Sequence, residues 1–364
     1  MKILHVVEDF SLESGGLRTV IKDLNYYLNK ENFTSYILSA KEELGDNIFI
    51  VNTNNSPWLY SKEWEVKLNS LKEKYNFDVV HIHGVWMYPQ YIASKFCIKN
   101  DIPFIVSIHG MYEPWLWEKG KLKKKLYFNL LTKKVFSRAK LLHAITPLEK
   151  TNLQSLFKNN NVIEIPNLIE EISCEEKEQF KIKDDVNYIL YLGRLDEKKG
   201  IDLLLKSFSK LNNSDFKIVI AGKLNDYQKS LKLLINSLKL EGKVEFLGMV
   251  KGKEKIDLIK NAFVLVAPSY SEVIGMVNLE AGILKTPVIT TFQTGLKMDW
   301  NSNGGRLINP NVNELSDVLK EVLSWSISQR NKNGEKLYNF VVKNYSWSLR
   351  FKDWKKLYKK CIHE

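Results

Sequence analysis

Two glutamates eight positions apart, Glu272 and Glu280, stand in the stretch SEVIGMVNLE at residues 271–280. An apolar run ending in proline, AFVLVAPSYS, precedes them, and a small-residue helical pattern, EAGILKTPVI, runs on from Glu280. A bare carboxylate is costly in an apolar layer, so both acids call for partners. Carboxylates accept hydrogen bonds from hydroxyls, and the expected helix start at Gly275 to Val277 offers free backbone N–H groups to a phosphate or sugar oxygen. A ligand that satisfies the acids is therefore expected here. Cations stand at another strand end. In YLGRLDEKKGIDLLLKSF, Arg194 follows an apolar run and Lys199 comes five positions later, before Gly200 and a helical pattern. A guanidinium grips phosphate oxygens bidentately and a lysine adds a point charge, a pair suited to a diphosphate. Charge runs more often mark a solvated face, and the strand-end position is what favours phosphate contact.

Two further runs end in His-Gly, VVHIHG and FIVSIHG. Alternation turns His81 and His83 to one face of the strand and Ile82 to the other. A single strand-end histidine is usually a satisfied structural residue. The repeated His-Gly, with Trp86 and Trp115 nearby, favours a site instead. Glycine after histidine leaves the imidazole open, and indole faces are surfaces on which sugars stack. His109 is the expected catalytic participant of the two. Gly15 and Gly16, ahead of an amphipathic helical pattern, permit a tight turn and close backbone approach to a ligand, although the same pair also makes an ordinary strand–helix loop. Neither GxGxxG nor GxxxxGK[ST] occurs, which counts against a classical dehydrogenase or an NTPase.

The elements that must position these residues are short apolar strands alternating with helices. KILHVV, SYILSA, VVHIHG, FIVSIHG, LLHAIT and NVIEIPN form one series; YILYLG, KIVIAG, KVEFLG, AFVLVAPS and PVITT form a second. Such runs predict parallel sheets covered on both faces. Doubly wound sheets bind ligands beyond the carboxyl ends of their strands, which is where the residues above lie. The acidic stretch at residues 168–185 reads as the linker. The 364 residues suit two α/β domains, and 44 % apolar content supports full cores. The +12 net charge suits phosphate-bearing ligands, nucleic acid or an anionic membrane alike. Cys97, Cys174 and Cys361 show neither metal spacing nor a disulfide framework, as in a reducing cytosol. MKILHVVEDF reads as a strand rather than a signal peptide, and no run reaches spanning length. The expected location is cytoplasmic, with the inner face of the membrane within reach.

With these motifs the chain resembles the retaining glycosyltransferases of family 4, over essentially its whole length. The glycine-pair loop, IHG, ITPLEK, IPNLI, the Arg-x4-Lys segment, VEFLGMV and VLVAPSYSEVIGMVNLEAGILKTPVI carry the resemblance. It implies a GT-B fold: two Rossmann-like, doubly wound parallel-sheet domains with an interdomain cleft. The expected division is an acceptor-binding domain at 1–168, a nucleotide-sugar-binding domain at 169–346, and a C-terminal helix at 347–364 crossing back to the first. The resemblance also implies roles. Arg194 and Lys199 would bind the donor diphosphate, Glu280 the ribose hydroxyls and Glu272 the donor sugar. Backbone amides at Ile274, Gly275 and Met276 would reach sugar or phosphate, and His109 would contact the transferred sugar. Gly15 and Gly16 would line the cleft, Gly222 and Lys223 would face the base, and His83, Trp86 and Trp115 would meet the acceptor. No cofactor is implied, and no metal, since no Asp-x-Asp triplet is present. Val273 and Lys285 depart from the family pattern, which has glycine at both positions, and leave the donor sugar open.

The segment 119–140 holds nine Lys/Arg and no acid, interleaved with Leu122, Leu126, Phe128, Leu130, Leu131 and Phe136. A basic amphipathic helix can lie on an anionic membrane, or pack its apolar side inward and leave its lysines in water. Nucleic acid is not expected as a partner, because no recognisable module accompanies the charge. The expected function is transfer of a hexose, with retention, from a UDP- or GDP-sugar to a glycan or a polyprenyl-diphosphate-linked acceptor of a bacterial surface polysaccharide, O-antigen or capsule. A GT-B-type nucleotide-sugar epimerase and a non-catalytic glycan-binding protein remain the alternatives.

Overall fold

The computed structural model describes residues 1–11, 14–41, 45–54, 56–113, 117, 120–158, 161–171, 187–211 and 215–363. The chain forms two compact units, residues 1–168 with 351–364, and residues 169–350. The helix Trp347–His363 contributes its first four residues to the second unit and the rest to the first. Most of the expected linker, residues 172–186, lies outside the described residues.

The first unit carries β1 (Lys2–Val6), β2 (Thr34–Ser39), β3 (Ile48–Ile50), β4 (Val79–His83), β5 (Phe104–Ser107), β6 (Leu141–Ala144) and β7 (Val162–Glu164). They form a parallel sheet in the order β3-β2-β1-β4-β5-β6-β7. The register sets His5 beside His81, and His83 beside Ser107, which pairs with His143. Because strand side chains alternate, the intervening Leu4, Val80, Ile82, Val106 and Leu142 face an apolar core with Trp64, Phe96 and Phe136. The polar set faces the other way, and Tyr358 and Trp354 of the C-terminal helix pack against it. One face of this sheet is thus a dry core and the other a histidine seam.

The second unit carries β8 (Tyr188–Leu192), β9 (Lys217–Ala221), β10 (Val244–Gly248), β11 (Val264–Ala267), β12 (Val288–Thr291) and β13 (Arg306–Ile308). They too are parallel, in the order β10-β9-β8-β11-β12-β13. The two expected Rossmann-like sheets are therefore present. β3 and β13 were not expected from the sequence. Each is a three-residue edge strand, too short for an apolar run to stand out.

Candidate functional site

In the second unit the expected donor residues collect at the carboxyl ends of β8 and β11. Lys199 closes a short 3-10 turn, Glu197–Lys199, whose start is capped by the Asp196 carboxylate. Gly200 then takes φ +68°, and a Cβ on it would stand 2.1 Å from the Pro268 carbonyl oxygen. Only glycine tolerates both constraints, and the close packing brings Lys199 to the loop after β11. There its Nζ meets Glu272 Oε2 at 2.5 Å, and Ser269 Oγ donates to the same oxygen at 3.2 Å. Glu280, inside the helix Met276–Ile283, pairs with Lys255 Nζ at 2.7 Å. The expectation that a ligand alone would satisfy the two acids is corrected here: each already holds a lysine. No side chain caps the start of the Met276–Ile283 helix, and a Cβ on Gly275 would stand 2.6 Å from Asn278 Nδ2. Ile274 is buried and Met276 half-buried beside it. Arg194 lies exposed in the loop after β8.

Packing explains Gly222. A Cβ there would stand 1.9 Å from the Gly193 carbonyl oxygen, so this glycine is required whatever binds. Lys223 beside it is exposed. Lys285 follows the helix Met276–Ile283 at φ +59° and pairs with Glu335 at 2.7 Å. It occupies a left-handed helix-end position, which favours glycine for backbone reasons, and so bears on the helix terminus.

In the first unit, His109 adopts φ +55° directly past β5, followed by Gly110 at +74°. Its Nε2 lies 3.0 Å from His83 Nδ1, and His83 Nε2 lies 2.9 Å from His5 Nδ1. His83, expected at the acceptor, is fully buried, and its two nitrogens lie within hydrogen-bond distance of His5 and His109. The glycine after it leaves room for Glu8 and Gln90, whose Oε2 and Nε2 come within about 3 Å of an added Cβ. His109 is half-buried and keeps its Nδ1 outside this chain. A second chain runs from Tyr358 Oη to His81 Nδ1 (2.7 Å), from His81 Nε2 to Ser107 Oγ (2.6 Å), on to His143 Nδ1 (2.7 Å), and from His143 Nε2 to the Ile165 carbonyl (2.8 Å). Burial holds His5 and His109 down to about 3 and His143 to about 4, so all are neutral at neutral pH. One nitrogen each of His5, His81 and His83 lies within 4.8 Å of the others. A metal could use that spacing only by breaking these hydrogen bonds, because His81 and His83 have no free nitrogen.

Gly15, at φ +66°, starts the helix Gly16–Lys30, and no atom of the described residues lies within 4 Å of a hypothetical Cβ on Gly15 or Gly16. Trp86 is built into an aromatic cluster with Tyr112, Trp117 and Tyr127, and Lys124 Nζ lies 5.6 Å over its ring. That packing covers part of the indole expected to stack on an acceptor, which stays half-buried. Trp115 lies outside the described residues.

Sequence reasoning missed Lys255, Glu149, His5 and His143. The histidines were findable, since KILHVV and LLHAIT each carry one in a strand run. Glu149, in Thr-x-x-Glu, signals only a helix cap, and Lys255 leaves no signal at all.

A model of glycosyl transferases group 1 matches residues 173–339, and one of glycosyltransferase family 4 matches residues 14–171. An uncharacterised glycosyltransferase of Methanocaldococcus jannaschii is 30% identical over 318 residues, covering 82% of this chain and 79% of the relative. An O-antigen chain mannosyltransferase of Salmonella typhimurium is 30% identical over 61% of this chain and 63% of its own length. Among solved structures, an Anabaena protein in complex with UDP-glucose superimposes with a TM-score of 0.75 at 14% identity, covering 99% of this chain and 100% of that one.

Proposed function

This chain belongs to the GT-B glycosyltransferases, and from that premise we propose that it transfers a hexose, with retention, from a nucleoside-diphosphate sugar to a glycan or lipid-linked acceptor. The observation that carries the reading is the Lys199–Glu272 pair beside the uncapped helix start, with Glu280 about one turn further along the same helix. An incoming diphosphate takes over Lys199 and is gripped by Arg194, which together neutralise the charge that grows as the glycosidic C–O bond breaks. No metal is required in this reading. Released from Lys199, the Glu272 carboxylate accepts from hydroxyls of the donor sugar. Glu280 does the same for the ribose, and His109 hydrogen-bonds the transferred sugar. The acceptor hydroxyl attacks from the face the diphosphate leaves and passes its proton to the departing phosphate oxygen, so no enzymic nucleophile is needed.

The UDP-glucose bound to the Anabaena structure makes a uridine donor the first candidate, and the Salmonella relative makes O-antigen assembly the first biosynthetic setting. Thermal denaturation against UDP, GDP, ADP, CMP and their sugars tests the donor, because a ligand bound only by the folded state raises Tm. One nucleotide series should raise it; no shift with any of them overturns the reading. Donor turnover that requires an acceptor separates transfer from epimerisation, and binding without turnover marks a glycan-binding protein.

A lipid-linked acceptor fits the basic segment. It folds as the expected helix, continuous through Lys121–Tyr127, a π turn at Phe128–Thr132 and Lys133–Phe136. Phe128, Thr132, Val135 and Phe136 turn inward, while Leu122, Leu126 and Leu130 are 74%, 50% and 70% exposed. These leucines recur every four residues, and Lys121, Lys123, Lys125 and Lys134 are exposed around them. No helix among the described residues is long and apolar enough to cross a membrane. An apolar stripe set in lysines suits the interface of an anionic bilayer. Replacing the three leucines with serine should weaken sedimentation with phosphatidylglycerol vesicles by about tenfold or more, with transfer to a soluble acceptor retained. Equal binding by the variant refutes membrane docking through this stripe.

A further inference from the structure

We propose that Glu149 is a positioning residue: its carboxylate latches the left-handed turn that aims His109, and transfer requires the latch closed. The role of the turn in transfer rests on the reading that His109 contacts the sugar. Glu149 stands at the third position of the helix Pro147–Leu156, whose start is capped by Thr146. A glutamate there ordinarily turns back to the cap's own backbone N–H. This one instead bridges two strand ends. Oε1 accepts from the Gly110 N–H at 2.6 Å, just past β5, and Oε2 accepts from the Ile145 N–H at 2.7 Å, just past β6. The side chain is buried, with the residue 2% exposed.

The held amide belongs to the second of two successive left-handed residues, His109 and Gly110. A non-glycine residue does not keep that conformation by itself, so the fixed Glu149 acceptor holds the backbone turn while His83 meets the ring at Nε2. Only the ionised carboxylate offers an acceptor to both N–H groups. A protonated one turns its own O–H against a donor and loses one of the two bonds.

Burial raises the Glu149 pKa to about 7, with Glu113 adding to the rise and the two N–H bonds opposing it. Glu113 is the charged group that acts on it, and His109 and His143 remain neutral. Because the two N–H bonds lower the pKa of a carboxyl that stays buried, ionisation favours the bonded form; the latch therefore closes as pH rises through neutrality, and kcat should rise with it, whereas titration of His109 falls far lower.

Amide hydrogen exchange at Gly110 and Ile145 of the substrate-free protein reads the latch directly. After correction for intrinsic exchange, protection of both should increase from about pH 6 to pH 8, and kcat should climb over the same window. In Glu149→Gln the pH dependence should vanish, with kcat about tenfold lower at pH 8 and the donor KM little changed. Glu149→Asp, which keeps the charge, should restore part of the pH dependence. Protection that stays flat in the wild-type protein overturns the latch, whether or not the variant folds. Rising protection with an indifferent kcat leaves the latch standing but overturns its role in transfer, together with the sugar contact of His109.

Discussion

Lys199→Ala lowers kcat for sugar transfer by about 10²–10³-fold, the usual consequence of removing one preorganised charge from a site where charge develops. In the unliganded protein Lys199 lies 2.5 Å from Glu272, with the two side chains 19% and 23% exposed. Water screens the pair only partly. The substitution therefore does two things. It removes the cation that would meet the leaving diphosphate, and among the described residues it leaves Glu272 with Ser269 Oγ, at 3.2 Å, as its side-chain partner. That uncompensated carboxylate then faces an incoming polyanion, so the donor KM rises while kcat falls. Adding Glu272→Gln relieves the repulsion without restoring the cation, and the double variant should lose less than the two single losses combined, as coupled neighbours do. Steady-state kinetics on proteins with matched circular dichroism make the comparison. A Lys199→Ala enzyme with wild-type kcat removes the diphosphate from this loop and with it the proposed site.

The sequence made the sheets legible because β1, β4, β8 and β9 are buried on both faces and leave short, mainly apolar runs, interrupted in β1 and β4 by buried histidines. It concealed β3 and β13 because three residues at a sheet edge need no such run. The expected donor residues stand out in the sequence for a similar reason: strand ends are marked by glycine or proline, with Arg194 and Lys199 after Gly193 and Glu272 after Pro268. What one acid does for another residue was concealed. Lys255 reaches Glu280 from 25 positions away, and Glu149 reaches Gly110 across 39; no local spacing encodes either. The burial of His83 was concealed for the same reason. Its glycine neighbour correctly signalled open space, but that space is taken by Glu8 and Gln90, which arrive from elsewhere in the chain. His109 carries the same dipeptide, and its Nδ1 stays outside the chain of histidines.

Ser107→Ala, the loss of one buried oxygen, should cost the first unit about 2–5 kcal/mol, more than Tyr358→Phe at about 1–3 kcal/mol. The difference follows from the polarity of the hydrogen-bond chain, which one carbonyl determines. The Ile165 oxygen can only accept, so His143 Nε2 carries the proton and His143 Nδ1 is left as an acceptor. Ser107 must then donate to His143, and its lone pair accepts from the N–H of His81 Nε2. His81 Nδ1 is in turn an acceptor, and Tyr358 donates to it from the C-terminal helix. Deleting the tyrosine hydroxyl orphans one buried acceptor. Deleting the serine hydroxyl orphans an acceptor on His143 and, more seriously, an N–H donor on His81, in a seam where His81 is 0% and His143 1% exposed. Amide exchange from β4, β5 and β6 reads the cost within this unit, free of the two-unit unfolding that complicates a single melting curve. Imidazole nitrogen-15 shifts supply the independent check, since His81 and His143 should both show a protonated Nε2 and a bare Nδ1. A protonated Nδ1 on either ring, or a Tyr358→Phe protein less protected than Ser107→Ala, would mean the chain runs the other way.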